Sequence, residues 1–133
     1  MSCKSMLYTV LNTTTAVLAG GVIPLRNIVR RFGNAIRVDG NTITLTEPGY
    51  YRITVNDTVR PGAAAPLNLT VMENGIPLTG AVTTVTPAAI GDDTPMQISG
   101  AVSRVYCHCC KTISFVLSEA GSVTNAAVTV EKV

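Results

Sequence analysis

The stretch from Asn41 to Val59 constrains this chain most strongly. Ile43 and Leu45 alternate with Thr42, Thr44 and Thr46. Glu47, Pro48 and Gly49 follow, and then Tyr51, Ile53 and Val55 alternate with Arg52 and Thr54. Alternation with a period of two sends one set of side chains to a buried face and the other to the opposite face. Pro48 presets φ for an early turn position, and Gly49 accepts the positive φ that β-branched residues resist. Strand, Pro-Gly turn and aromatic-led strand suit the corner of a β-sandwich.

The rest of the chain repeats the theme. Residues 6–11 read as a first strand. Pro24 makes Val22 to Val29 an edge strand or an extended crossing segment. Arg30 to Asn34 reads as a loop, with Phe32 placed to plug one end of a core. Ile36 and Val38 lead into Asp39-Gly40, a hairpin signal of type I′. Leu67, Leu69 and Val71 lead into Asn74-Gly75, a stronger signal of the same kind. Pro77 and Gly80 bend the return strand or put it at an edge. Met96, Ile98 and Val102 share a parity, and Gly100 between them marks a bulge or a close backbone approach. Ile113, Phe115 and Leu117 alternate, as do Val128 and Val130. No window carries a 3.6-residue apolar repeat with caps. Turns recur about every eight to twelve residues, so the expected fold is all-β: a jelly-roll β-sandwich of about ten strands. Residues 1–133 are expected to form one domain. Tyr51, Ile53, Val55, Leu69, Phe115 and Val128 lie on the more apolar parity of their strands and are the expected core.

Charged residues make up 14% of the 133 residues, well under the roughly 25% of an average soluble domain. Such a chain either exposes uncharged Thr, Ser and Asn or hides surface against other subunits. A net charge of +2 argues against a polyanion specialist, so no nucleic acid is expected. No apolar run is long enough for a membrane span, so no membrane insertion is expected. The first twelve residues make a poor signal peptide, and exit by assembly or lysis is expected.

Cys107, His108, Cys109 and Cys110 form the most chemically loaded run. Cys and His ligate zinc, but neighbours on a strand point to opposite faces, which is poor zinc geometry. Small apolar cysteines filling a subunit contact, or disulfides that include Cys3, are the other readings. Arg26, Arg30, Arg31 and Arg37 lie close together without aromatic interleaving, which suits solvated or inter-subunit arginines better than phosphate binding. Asp92 and Asp93 read as a polar loop tip, since calcium wants further carboxylates nearby. No nucleophile motif or phosphate loop is present, and no enzyme activity, metal or cofactor is expected.

Several stretches, in this order and spacing, carry a family resemblance: Val22 to Leu25, Phe32-Gly33, Asn41 to Leu45, Glu47 to Tyr51, Val71 to Gly75, and Gly121 to Ala126. Together they resemble the small bacterial and phage jelly-roll domains related to the C-terminal head of the exosporium collagen-like glycoprotein. Those domains are similar in turn to the tumour necrosis factor and complement-head superfamily. The resemblance implies a tight, non-enzymatic homotrimer whose strand faces meet around a threefold axis. The chain has no collagen-like Gly-X-Y stalk, which favours a free-standing trimer on a virion surface. Its expected partners are further copies of itself and a capsid or fibre protein, as a decoration, head-fibre or fibre-tip protein. A spore-surface protein is the alternative. Another is a module that captures a host surface glycan or receptor through the Arg60–Pro66 and Ala88–Pro95 loops. The expected attachment segment is Cys3 to Leu11. Tyr50 and Val116 neighbour core residues and point out of the sandwich, so these two and Cys109 or Cys110 are the expected trimer interface. A carboxylate at position 116 is then expected to break the trimer, and one at position 129 to be tolerated.

Overall fold

A computed structural model describes residues 5–25, 27–62, 64–106 and 110–133. Its strands form two antiparallel sheets. The first sheet contains β1 (Met6–Leu11), β2 (Thr15–Val17), β3 (Asn27–Phe32), β6 (Gly49–Pro61), β9 (Thr94–Val105) and β11 (Gly121–Lys132). Its order is β3-β1-β11-β6-β9, with β2 against the start of β11. The second sheet contains β4 (Ile36–Asp39), β5 (Thr42–Leu45), β7 (Leu67–Glu73), β8 (Ile76–Val85) and β10 (Lys111–Leu117), in the order β4-β5-β10-β7-β8. Apart from the β4–β5 and β7–β8 hairpins, strand neighbours are not consecutive in the chain, which makes this a jelly roll with the core between the two inner faces.

Alternation in β6 turns Tyr51, Ile53 and Val55 inward. They pack with Leu69 and Phe115 of the opposite sheet and with Val128 of β11, all at most 2% exposed. The Pro48-Gly49 turn joins β5 of one sheet to β6 of the other, so it carries the chain across the sandwich. Gly49 has φ of +143°, a conformation that L side chains rarely adopt. The Tyr51 hydroxyl donates to the Glu47 carbonyl at 2.6 Å and pins the corner. Burial pushes the Tyr51 phenol pKa up.

Asn74 and Gly75, with φ of +52° and +78°, close the β7–β8 hairpin as a type I′ turn does. The β4–β5 hairpin differs from its expected form. Asp39 pairs with Thr42, so the loop residues are Gly40 and Asn41, and Gly40 alone has positive φ. That matches the glycine-first II′ pattern instead of I′.

Two other expectations are corrected. Arg30 to Phe32 belong to edge strand β3, not to a loop, and Phe32 is 50% exposed instead of plugging the core. Ile28, Val29 and Phe32 favour extended backbone, and an edge tolerates the arginines between them. Ile23 and Leu25 fill the core instead. Their segment crosses to β10, where the Ile23 amide donates to the Phe115 carbonyl at 2.8 Å. In β9, Ser99 and Gly100 form a bulge opposite Thr54. The extra residue flips the strand, so Ile98 is buried while Val102 is exposed.

Candidate subunit interface

A sandwich has two outer faces, and strand register shows what each carries. On the first sheet, cross-strand partners form one row of Phe32, Met6, Glu131, Arg52 and Val102. The next row is Arg30, Tyr8, Thr129 and Thr54. The third is Asn27, Val10, Ala127, Asn56 and Gln97. Partners directly opposite each other share a face. The middle of this face is therefore apolar, aromatic or hydroxylated, and its one central ion pair is Arg52–Glu131 at 3.3 Å. Beyond Asn56 and Gln97 the face dips into a hollow of about 400 Å³, lined also by Asp57, Thr58, Pro95, Met96 and Asn125.

The outer face of the second sheet has another character. Arg37, Thr44 and Thr112 form one row, and Asn68 and Thr84 another, where the Thr84 hydroxyl donates to the Asn68 side chain at 2.7 Å. Val116, Thr70 and Val82 are its apolar row. Hydroxyls and amides elsewhere keep this face compatible with water. Among the described residues, Ile28, Val29, Phe32, Tyr50 and Val102 are large apolar side chains exposed on strands of the first sheet. Only Ile76 and Val82 are so on the second.

One end of the first face carries an aromatic and basic cluster. Tyr50 and Arg104 are cross-strand partners on β6 and β9, and Tyr106 follows directly after β9. The Arg104 Cζ lies 4.4 Å from the Tyr106 ring centroid and 5.4 Å from that of Tyr50. Lys111 Nζ lies 5.8 Å from the Tyr106 centroid and donates to Glu73 at 2.8 Å. Glu73 also accepts the Ser103 hydroxyl at 2.6 Å. Burial alone would raise the Glu73 carboxyl pKa, but the bonds from Lys111 and Ser103 outweigh it and hold the group below its ordinary value.

Asp57 is the one charged residue placed on the inner side of β6. Val55 and Val59 precede and follow it on the same parity, and its strand partners are Met96 and Ala126. The residue is 3% exposed, and neither carboxylate oxygen has a hydrogen-bond partner among the described residues. Desolvation pushes its pKa up to about 7.

At the other end, the Arg60–Pro66 and Ala88–Pro95 loops lie together. Arg60 Nε meets Asp93 at 2.8 Å, and the Gly91 amide donates to the Pro61 carbonyl at 3.2 Å. Asp93 is thus committed to an arginine.

The structure does not bring the expected interface residues together. Tyr50 is half exposed on the first face, whereas Val116 is half buried on the second. A single axis packed against one outer face cannot be lined by both. Cys110 is exposed as a free thiol. Cys109, Cys107, His108, Cys3 and Arg26 lie outside the described residues. Met6, Tyr8, Val10 and Thr129 were missed as face residues. Their signal was present, since each lies one position away from a buried residue on a central strand.

The sequence matches no family model and no curated protein. Solved structures share the architecture. Murine APRIL at pH 5.0 superposes with a TM-score of 0.71 at 14% identity, covering 98% of this chain and 100% of that one. The fold is the tumour-necrosis-factor-like jelly roll. The globular domain of zebrafish complement 1qA gives a TM-score of 0.67 at 13% identity, over 98% of this chain and 97% of its own. The PRD1 vertex protein P5 gives 0.53 at 14% identity, over 97% and 96%. At such identities the likeness concerns the fold alone. It agrees with the jelly-roll fold expected from the sequence.

Proposed function

We propose that this chain is a non-enzymatic structural head, assembled as a homotrimer and displayed on a phage particle as a decoration, head-fibre or fibre-tip protein. The observation that carries the trimer is the outer face of the first sheet, where Met6, Tyr8, Val10, Phe32, Ala127 and Val102 converge around Thr129 and Thr54. An apolar sheet face of this kind calls for a cover. A heterologous contact that closes on itself after three copies supplies one without any new partner. Support for display on a particle comes from the fold likeness to a protein named as the vertex protein of PRD1.

This reading reverses the roles of two positions. Thr129 sits mid-face between Tyr8 and Thr54, so Thr129→Asp would place three carboxylates in the contact. Burying such charges unpaired costs several kcal/mol per ion. Val116→Asp would place its charge on the half-buried Val116, Thr70 and Val82 row of the second face, outside the proposed contact. Size-exclusion chromatography with light scattering at micromolar concentration should find a wild-type trimer, a dissociated Thr129→Asp protein and a trimeric Val116→Asp protein. A wild-type monomer would remove the proposal, and the opposite pattern in the two variants would move the contact to the second sheet.

A further inference from the structure

We propose that Arg104, held between Tyr50 and Tyr106, is a binding site for the carboxylate of an acidic sugar. The chain has six aromatic residues, four Tyr and two Phe. Two of them flank this single guanidinium, with half their surface open: Tyr50 is 50% exposed and Tyr106 is 55% exposed. Rings stacked on a guanidinium restrict its orientation and leave its edge N–H groups outward. No acceptor among the described residues meets those N–H groups, although the ring contacts fix where they point.

The neighbouring charges select the ligand. Lys111 is engaged by Glu73 at 2.8 Å, and Arg52, two residues from Tyr50, by Glu131 at 3.3 Å. Among the described residues, the cluster therefore offers one positive charge without a salt-bridge partner. A polyanion such as nucleic acid is held by a line of cations, which is not present. A single planar oxyanion matches a single guanidinium fork, two N–H groups to two oxygens. A bare carboxylate would not use the half-exposed tyrosines beside that fork, whereas a pyranose presents apolar C–H groups next to its carboxylate. The paired half-exposed tyrosines thus favour an acidic sugar over a free acid. This site lies at the end of the first face, beyond the Arg52 and Val102 row that bounds the proposed contact, and at the opposite end of the sandwich from the paired Arg60 and Asp93 loops.

The test uses the full chain and 3′-sialyllactose, with lactose and acetate as comparison probes, read by ligand-observed NMR and calorimetry. Saturable binding of sialyllactose is expected, with none of lactose and a much weaker response to acetate. Arg104→Gln should weaken it by about tenfold or more, as loss of a charge-assisted pair does. Arg104→Lys, which keeps the charge and loses the fork, should also weaken it. Tyr106→Ala should weaken sialyllactose binding and leave the acetate response unchanged. Each variant is checked by size-exclusion chromatography. Equal binding of lactose, acetate as tight as sialyllactose, or undiminished binding by Arg104→Gln would each overturn the proposal. So would loss of assembly on Arg104→Gln, which would make Arg104 a subunit contact.

Discussion

Replacing Asp57 with Asn keeps the shape of the side chain and removes its ionisation. The wild-type carboxyl shares the inward parity of Val55 and Val59, has Met96 and Ala126 as strand partners, and has no hydrogen-bond partner among the described residues. Its value rises from 3.8 to about 7 on burial. At about 1.36 kcal/mol per pH unit, folding therefore favours the protonated acid by about 4 kcal/mol. Because the folded value lies above the unfolded one, this stability is fully present below about pH 4. It is lost progressively as pH rises to about 7, and beyond that the loss is complete. Glu73 has the opposite sign: its lowered carboxyl stabilises the fold above its ordinary value and loses that contribution in acid. The wild-type pH profile mixes the two, so the difference between wild type and Asp57→Asn isolates Asp57. Urea unfolding from pH 3.5 to 8.5, at one fixed protein concentration, should show the variant gaining steadily on wild type between pH 4 and 7. By pH 8 the relative gain should be several kcal/mol. Parallel profiles across that window would refute the reasoning, because they would mean that Asp57 titrates as an ordinary exposed carboxyl.

Phe115 is fully buried in the core, and Phe115→Ala should destabilise by about 3–5 kcal/mol in the same assay; a change under about 1 kcal/mol would contradict its place there. Excess chelator should leave both the melting temperature and the assembly unchanged, because adjacent residues of the 107–110 run are poorly spaced for zinc. Stoichiometric zinc by elemental analysis, with melting on chelation, would contradict it.

Much of the fold is legible in the sequence because strand alternation and turn chemistry are local. Tyr51, Ile53 and Val55 turn inward by parity alone, and the Asn74-Gly75 turn is dictated by two residues that accept positive φ. The same parity count passes through Asp57 to Val59 and turns Asp57 inward as well. Other features depend on partners far away in the chain. Val102 is outward because the bulge at Ser99 and Gly100 inserts a residue opposite Thr54, and alternation within β9 cannot register that. Edge strand β3 exists because β1 offers it backbone partners, not because its own pattern demands it.

The candidate interface shows the same division between local and non-local information. Tyr50 and Val116 each follow or precede a buried aromatic, so each points out of the sandwich. Outward has two opposite meanings in a two-layer fold, and only the strand order assigns them. The order β3-β1-β11-β6-β9 gathers Tyr8, Met6, Val10, Ala127 and Val102, scattered along the sequence, onto one surface. The order β4-β5-β10-β7-β8 gathers threonines around Val116. The charges are few, with Arg30 at one edge and the paired Arg52 and Glu131 on the first face and Arg37 on the second, so what separates the faces is the balance of hydroxyl groups against apolar and aromatic groups. Water hydrates the threonine face at little cost, while the other gains by being covered at about 25 cal/mol per Å² of apolar surface. The proposed contact therefore falls on the first sheet, and a carboxylate at Thr129, at its middle, tests it more directly than one at either residue that local reasoning selects.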